Sequence, residues 1–205
     1  FRFTAERLYE AGFLNRIVEP AALMPTAMDM ARHLLSLPPA SRVNTPVMMR
    51  AMRPQVSETL IVANRNLGRY QSYGCAVYND QIHGNLGPLA GLHTALLHAQ
   101  TDYVVCVPGD APRLPPDLVT RLWDALVEHQ AAISVAHDGT HFQPLCCLVP
   151  RRLARDCASA LHAGERSVIG WLKKYRLAAA IFKDTPTLAW SINTPEELHR
   201  AENMA

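Results

Sequence analysis

The chain has 205 residues, 49% hydrophobic and 19% charged, enough for one well-packed domain or one domain plus a fragment. A net charge of +2 argues against a nucleic-acid-binding stripe or a polybasic membrane anchor, and a mean hydropathy of -0.03 argues against wholesale disorder. No run approaches the ~18 apolar residues of a membrane span, no signal-peptide core opens the chain, and five cysteines without C-x-x-C spacing suggest neither a disulfide framework nor a zinc site, so a soluble protein of the cytoplasm is expected.

Residues 1–52 read as helical. Thr4 is placed to cap a short helix ending near Ala11, with Gly12 as its left-handed stop. Phe13–Val18 is a short extended or turn segment closed by Pro20. Ala22–Leu37 carries apolar residues at helical spacing until Pro38-Pro39, and Val43–Met52 is a third, short helix. Composition sets this stretch apart. It holds six of the seven methionines, one of the ten glycines (Gly12), and none of the cysteines, tryptophans or lysines. Chance in a short segment is one reading; the other is that two sequences of different origin meet near Met48–Gln55.

From residue 56 the pattern alternates. Short apolar runs at Thr59–Ala63, Tyr103–Val107, Ala132–Ala136, Pro144–Val149 and Ala178–Phe182 read as strands buried on both faces, with a shorter candidate at Ala76–Tyr78. Between them lie helices at Pro88–Ala99, Pro116–His129, Arg151–His162 and Ser167–Tyr175. Thr194-Pro195-Glu196-Glu197 is a capping box that starts a last helix. This alternation predicts an α/β domain with a mostly parallel sheet flanked by helices. In such a sheet the ligand sits beyond the carboxyl ends of the strands.

The residues just after each strand are therefore the candidates. Asn64-Arg65-Asn66 follows the first run. Pro108-Gly109-Asp110-Ala111-Pro112 follows the second, where turn-formers flank one carboxylate. Asp110 reads either as a magnesium ligand, since magnesium takes few carboxylates plus phosphate oxygens, or as a turn or helix cap. Asp80 follows the short strand. Gly87-Pro88-Leu89-Ala90-Gly91 opens a helix and reads either as a close-approach anion site or as ordinary helix initiation. Asn193 precedes the last helix, as ligand or cap. His137 and His141 are expected in an exposed turn, and the histidines form no metal cluster.

Taken in order, these pieces resemble the molybdenum cofactor guanylyltransferases, a branch of the nucleotidyltransferases. The resemblance rests on Ala63-Asn64-Arg65-Asn66 with Tyr70 and Gly74, then Asp80, Gly87-Pro88-Leu89-Ala90-Gly91, Pro108-Gly109-Asp110-Ala111-Pro112 and Leu114-Pro115-Pro116-Asp117-Leu118. Gln143-Pro144, Gly164-Glu165-Arg166 and Asn193-Thr194-Pro195-Glu196-Glu197-Leu198 complete it. It covers about residues 54–205 and implies a Rossmann-like sheet. It implies transfer of GMP from GTP to molybdopterin with release of pyrophosphate, assisted by Mg2+. By the same resemblance Asp110 is the metal ligand and catalytic residue. Asn64, Asp80, Gly87, Pro88, Leu89, Asp110 and Asn193 contact the nucleotide. Val62 stands where the family often has a further asparagine. The family's N-terminal glycine-rich loop has no match in residues 1–56, which implies an impaired enzyme. A non-catalytic nucleotide- or molybdopterin-binding remnant is the alternative. Residues 1–52 resemble instead the C-terminal part of an enoyl-CoA hydratase (crotonase), on Phe3-Thr4-Ala5-Glu6, Ala11-Gly12-Phe13-Leu14-Asn15-Arg16-Ile17-Val18, Pro20 and Leu23. The expected division is thus a helical segment, 1–52, and a nucleotidyltransferase-like domain, 53–205, joined as a chimera. Neither nucleic acid nor membrane is an expected partner; an oligomer or a molybdoenzyme or chaperone partner is.

Overall fold

The computed structural model describes residues 19–25, 27–28 and 49–183, apart from 66, 83, 85, 110, 112 and 113. Asp110, Asn193, the last helix and the segments resembling a crotonase at 1–18 lie outside the described residues. Of the early helices, a 3-10 turn at Pro20–Ala22 leads into helical residues 23–25, and residues 49–52 form the end of another.

Six strands are described: β1 Leu60–Val62, β2 Ala76–Tyr78, β3 Tyr103–Cys106, β4 Ile133–His137, β5 Phe142–Pro150 and β6 Leu177–Ile181. The helices are α1 Leu67–Tyr70, α2 Pro88–His98, α3 Leu118–Glu128, α4 Ala154–His162 and α5 Val168–Leu172. β1 and β2 pair in parallel, Leu60 opposite Ala76. The other four lie in the order β3-β5-β4-β6. β5 is antiparallel to both β3 and β4, while β6 is parallel to β4, so β3, β4 and β6 share one direction.

The reversal at β5 has a local cause. The turn at residues 138–141 is too short for a crossover, and only an antiparallel partner follows such a turn. Asp138 ties it: Oδ1 accepts from the N–H groups of Thr140 and His141, both at 2.7 Å, and Oδ2 from Gln143 Nε2 at 2.8 Å. These bonds hold the Asp138 carboxyl below its usual range. They also extend β5 two residues earlier than the apolar run at 144–149 predicts. Pro144, which cannot donate, falls where the register slips between Val135/Cys147 and Ala136/Gln143, an irregularity that excuses it from the ladder.

Helices cover both faces of the sheet. One core joins Leu89, Leu92 and Leu96 of α2 to Ile133, Val135, Cys147 and Val149 and to Trp171 of α5. The other joins Leu118, Leu122 and Leu126 of α3 to Ala136, Cys146, Leu148, Ala178 and Ala180. Successive residues of β4 and β5 thus feed opposite faces, as strand alternation requires. β4 is buried almost throughout, as expected of a central strand, whereas β1 is only half-buried along its length. Met52 packs into the second core.

Two helix boundaries show how starts and stops are set. Val119 N–H of α3 donates to Gln55 Oε1 at 3.0 Å, and Gln55 Nε2 donates to Pro115 O at 3.2 Å, so the helix start is capped from another part of the chain. α5 is capped locally: Ser167 Oγ accepts from Gly170 N–H. It stops at Leu172, shorter than the expected 167–175, because Lys174 and Tyr175 bond three residues back and tighten the coil. The single turn of α1, followed by a 3-10 turn that ends at left-handed Gly74, is not expected from periodicity.

Candidate active site

Parallel pairing sets the ends of β1 and β2 side by side. Two residues past each end stand Asn64 and Asp80. Asn64 Nδ2 donates to Asp80 Oδ2 at 2.7 Å, and Asp80 N–H donates back to Asn64 Oδ1 at 2.9 Å. This reciprocal pair commits one carboxylate oxygen of Asp80 and leaves the other, Oδ1, to the first turn of α2. A Cβ added to Gly91 would lie 4.0 Å from both Asp80 Oδ1 and Val62 Cγ1. These are ordinary van der Waals distances that alanine would also meet, so the first turn of α2 lies beside the carboxylate and the positive end of the helix faces that charge.

Gly87 makes the entry into α2. Its φ of 77° and ψ of -169° suit glycine alone, and Pro88 then occupies the first helical turn, where its missing N–H costs nothing. Gly87→Ala is expected to lower stability by about 1–3 kcal/mol, the usual cost of a side chain in such backbone space, read as a lower Tm in a thermal melt. Space is not the reason, since the nearest atom to an added Cβ is Arg166 O at 4.0 Å. The loop after β2 is pinned to the same helix: Gln81 N–H donates to Thr94 Oγ1 at 3.1 Å, and that hydroxyl donates to Ala90 O at 3.0 Å.

The contact with Arg166 brings in a loop that adjacency in sequence does not reveal. Gly164-Glu165-Arg166 follows α4, with Gly164 left-handed at φ 94°. Glu165 Oε1 accepts from the N–H groups of Arg166 and Ser167 at 3.0 and 2.9 Å, which hold its carboxyl below the usual range. Arg166 Nη1 donates to Leu161 O at 2.8 Å. The guanidinium is thus turned to its own loop, and it is the Arg166 carbonyl that borders the α2 start at Gly87. The spacing of glycine and charge marks this triplet, but nothing in the sequence sets it against Gly87.

Of the sequence candidates, Asn64, Asp80, Gly87, Pro88 and Leu89 are thus brought to one edge; Leu89 is fully buried there and serves the core. Pro108, in the loop after β3, lines one cavity with Val62, Pro88 and Gly91, and Ala111 N–H donates to Pro108 O at 3.4 Å with Ala111 buried. Asp110 itself and Asn193 lie outside the described residues. Among the described residues no group of three or more His, Cys, Asp and Glu is placed to hold a metal. A single-carboxylate magnesium site, which takes its other ligands from phosphate and water, needs no such group. His141 is exposed as expected, but His137 is half-buried, its ring edge-on to Phe142 at 4.9 Å.

His93 of α2 lies beneath the site, buried, with Nδ1 unpaired. Burial lowers its pKa, the neighbouring His162 adds to this and Asp80 opposes it. A histidine with a depressed folded pKa gives stability that is present above the unfolded value of about 6.5 and lost as pH falls below it. His93→Gln is expected to flatten the fall in Tm between about pH 6.5 and 5, measured by melts at fixed ionic strength.

A family model described as the MobA-like NTP transferase domain matches residues 40–177. A molybdenum cofactor guanylyltransferase of Shewanella sp. (strain MR-4) is 45% identical over 149 residues, which is 73% of this chain and 76% of that protein. Among solved structures, molybdopterin-guanine dinucleotide biosynthesis protein A of Archaeoglobus fulgidus superposes with a TM-score of 0.61 at 20% identity, covering 77% of this chain and 84% of that one. A 2-C-methyl-D-erythritol 4-phosphate cytidylyltransferase of Thermus thermophilus does so at 0.60 and 16% identity, covering 78% of this chain and 87% of that one. These two likenesses show the α/β fold.

Proposed function

Because the chain belongs to the MobA-like NTP transferase family, with molybdenum cofactor guanylyltransferases among its relatives, we propose that it transfers GMP from GTP to molybdopterin. The observation that carries this reading is the Asn64–Asp80 pair set against the Gly87–Gly91 helix start at the carboxyl edge of parallel strands. Asp80 Oδ1, the oxygen that Asn64 does not hold, is available to accept from a donor of a base. Guanine offers such donors in N1–H and its 2-amino group. The glycines let the base or ribose approach the backbone of α2 closely.

The reaction forms a bond between a phosphate oxygen of molybdopterin and the α-phosphorus of GTP. It breaks the bridging bond from that phosphorus to the β-phosphate oxygen, and pyrophosphate leaves with the electron pair. Catalysis of such a step is mostly positioning and charge neutralisation. Asp110, on the stiff loop after β3, would hold Mg2+, and Asn193 would stand near the phosphates. The ion would supply charge stabilisation at the phosphate oxygens. Asp110→Ala is expected to lower pyrophosphate release roughly 10³-fold or more, while GTP binding measured without the metal changes little. Unchanged turnover in that variant would remove Asp110 from the proposed role.

A second reading, nucleotide binding with little or no turnover, is favoured by one observation: among the described residues the sheet is divided between β1 and β3. Titration of GTP with magnesium, followed by single-turnover assay with molybdopterin, separates the two. Heat of binding without product favours the second.

A further inference from the structure

One pair of side chains has no part in the proposed reaction. Cys106 is the last residue of β3, and the antiparallel register sets it opposite Cys147 of β5. Opposite residues of two paired strands point to the same face of the sheet. Both thiols lie on the face covered by α2, packed with Leu92, Val104 and Val149. Cys146, next to Cys147 in the chain, joins the core on the other face.

The ladder fixes how far apart the two stand. Arg151 N–H donates to Asp102 O at 2.7 Å, so these residues form a hydrogen-bonded pair. Two residues on along each strand, Val104 and Val149 form the next, and Cys106 and Cys147 the one after. Pro150, which has no N–H, falls opposite Tyr103 in between, where no ladder bond is called for. Hydrogen-bonded pairs hold their Cα atoms about 5.5 Å apart, inside the ~4.4–6.8 Å span of a disulfide. Their Cβ atoms stand about 5–5.5 Å apart against about 3.8 Å in a disulfide, so closure takes a shift of about 1.5 Å. Cys106 is placed to make that shift, because the β3–β5 ladder ends with it and the loop at Pro108 follows.

The two thiols differ in their surroundings. Cys147 is fully buried, whereas Cys106 is half-buried and lines a cavity of about 730 Å³ together with Val62, Gly91 and Pro108. Cys147 S–H donates to Cys106 Sγ, which draws the Cys106 thiol below its ordinary range and raises Cys147. Burial pushes the thiols of Cys75 and Cys157 up instead. The thiolate form, which is the nucleophile, is therefore favoured on the sulfur that meets the cavity.

We propose that Cys106 and Cys147 are a modification site at which a peroxide closes an intrachain disulfide, with Cys106 as the attacking sulfur. The Cys106 thiolate attacks one peroxide oxygen and the O–O bond breaks. The sulfur becomes a sulfenic acid, and the departing hydroxide takes up a proton as water. Cys147 sulfur then attacks Cys106 Sγ, the S–O bond breaks, and the hydroxyl group leaves with the Cys147 proton as a second water. Two thiols lose two electrons in all, and one peroxide gains them. The new S–S bond ties the end of β3 to β5 at the base of the loop that carries Asp110, whatever the site binds.

The test is hydrogen peroxide added in small excess to the reduced full chain, read by intact mass and by peptide mapping without reduction. A species lighter by about 2 Da, two hydrogens, is expected, with Cys106 and Cys147 in one cross-linked peptide pair and the first mass restored by dithiothreitol. Cys147→Ala removes the second sulfur, so a dimedone adduct, which marks sulfenic acid, should build up at Cys106 roughly tenfold or more above wild type. Cys106→Ala should form no cross-link and leave Cys147 unmarked. The wild-type peptide map decides the pairing without either variant. Cys106 joined to any other cysteine, or a cross-link between two chains, overturns the proposal. So does a dimedone adduct on Cys147 in place of Cys106, or sulfinic acid on Cys106 with no cross-link. Five free thiols after the peroxide is consumed or in lasting excess overturn it as well.

Discussion

Asp80→Asn is expected to lower GTP affinity roughly ten- to hundredfold, because hydrogen bonds to a charged group are worth about 1.5–3 kcal/mol and about 1.4 kcal/mol is a factor of ten. The change is small in shape and large in chemistry. An amide oxygen can still accept from Asn64 Nδ2, and the backbone N–H at residue 80 still donates to Asn64 Oδ1, so the local fold should stand. The other position of the side chain becomes a donor where the proposed base also donates. Two donors face each other, and charge is lost beside the helix start. ATP, which offers one donor and one acceptor on the corresponding edge, should lose less than GTP. Calorimetric titration of both nucleotides against both proteins reads this directly. Asn64→Ala should cost less by itself. Combined with Asp80→Asn it should cost less than the sum of the two, because Asn64 acts by orienting the carboxylate. Equal GTP affinity in wild type and Asp80→Asn would mean the carboxylate does not contact the nucleotide.

The pairing behind that prediction shows where sequence is informative and where it is not. Asn64 and Asp80 are each legible as residues just past a short apolar run. β2 forms at the residues where it is expected, Ala76–Tyr78, and β1, β3, β4 and β6 come within a residue or so of their expected bounds. Short, β-branched runs between turn-formers carry that information locally. That the two side chains bond each other is a consequence of parallel register, Leu60 opposite Ala76, which no local pattern encodes. The same holds for Gln55 capping α3 across 64 residues. The Gly-Pro-Leu-Ala-Gly segment is legible because glycine and proline at a helix start report backbone angles directly, and Gly87 indeed has a positive φ. Burial on both faces is expected of every strand alike. β1 departs from it because one of its edges borders the cavity. The Gly164-Glu165-Arg166 loop is visible as a motif, while its place against Gly87 depends on how α4 and α5 pack.

That packing turns on Trp171. Trp171→Ala is expected to cost about 3–5 kcal/mol, the range for truncating a fully buried large aromatic, and hence to lower Tm by roughly 6–20 °C in a domain of this size. The indole has no exposed surface and joins the core shared by α2, β4 and β5. Its Nε1–H donates to Asp156 Oδ2 at 3.1 Å, and its ring meets Tyr175 edge-on at 5.4 Å. Tyr175 OH donates to the same carboxylate oxygen. Burial and that bond push the Tyr175 hydroxyl pKa well up, so the phenol stays protonated. Trp171→Phe separates the two contributions. It keeps most of the ring and loses the Nε1–H bond, while Tyr175 still serves Asp156, so its cost should fall well below that of alanine. The effect should reach the site through the chain: α5 is capped by Ser167, the residue after the Arg166 whose carbonyl borders Gly87. Well below its lowered Tm, Trp171→Ala should therefore bind GTP near the wild-type level, and lose it as the melt begins. A melt within roughly 2 °C of wild type would mean that neighbouring side chains close the space left by the indole. Weak GTP binding far below Tm would instead mean that α5 sets the shape of the site as well as its stability.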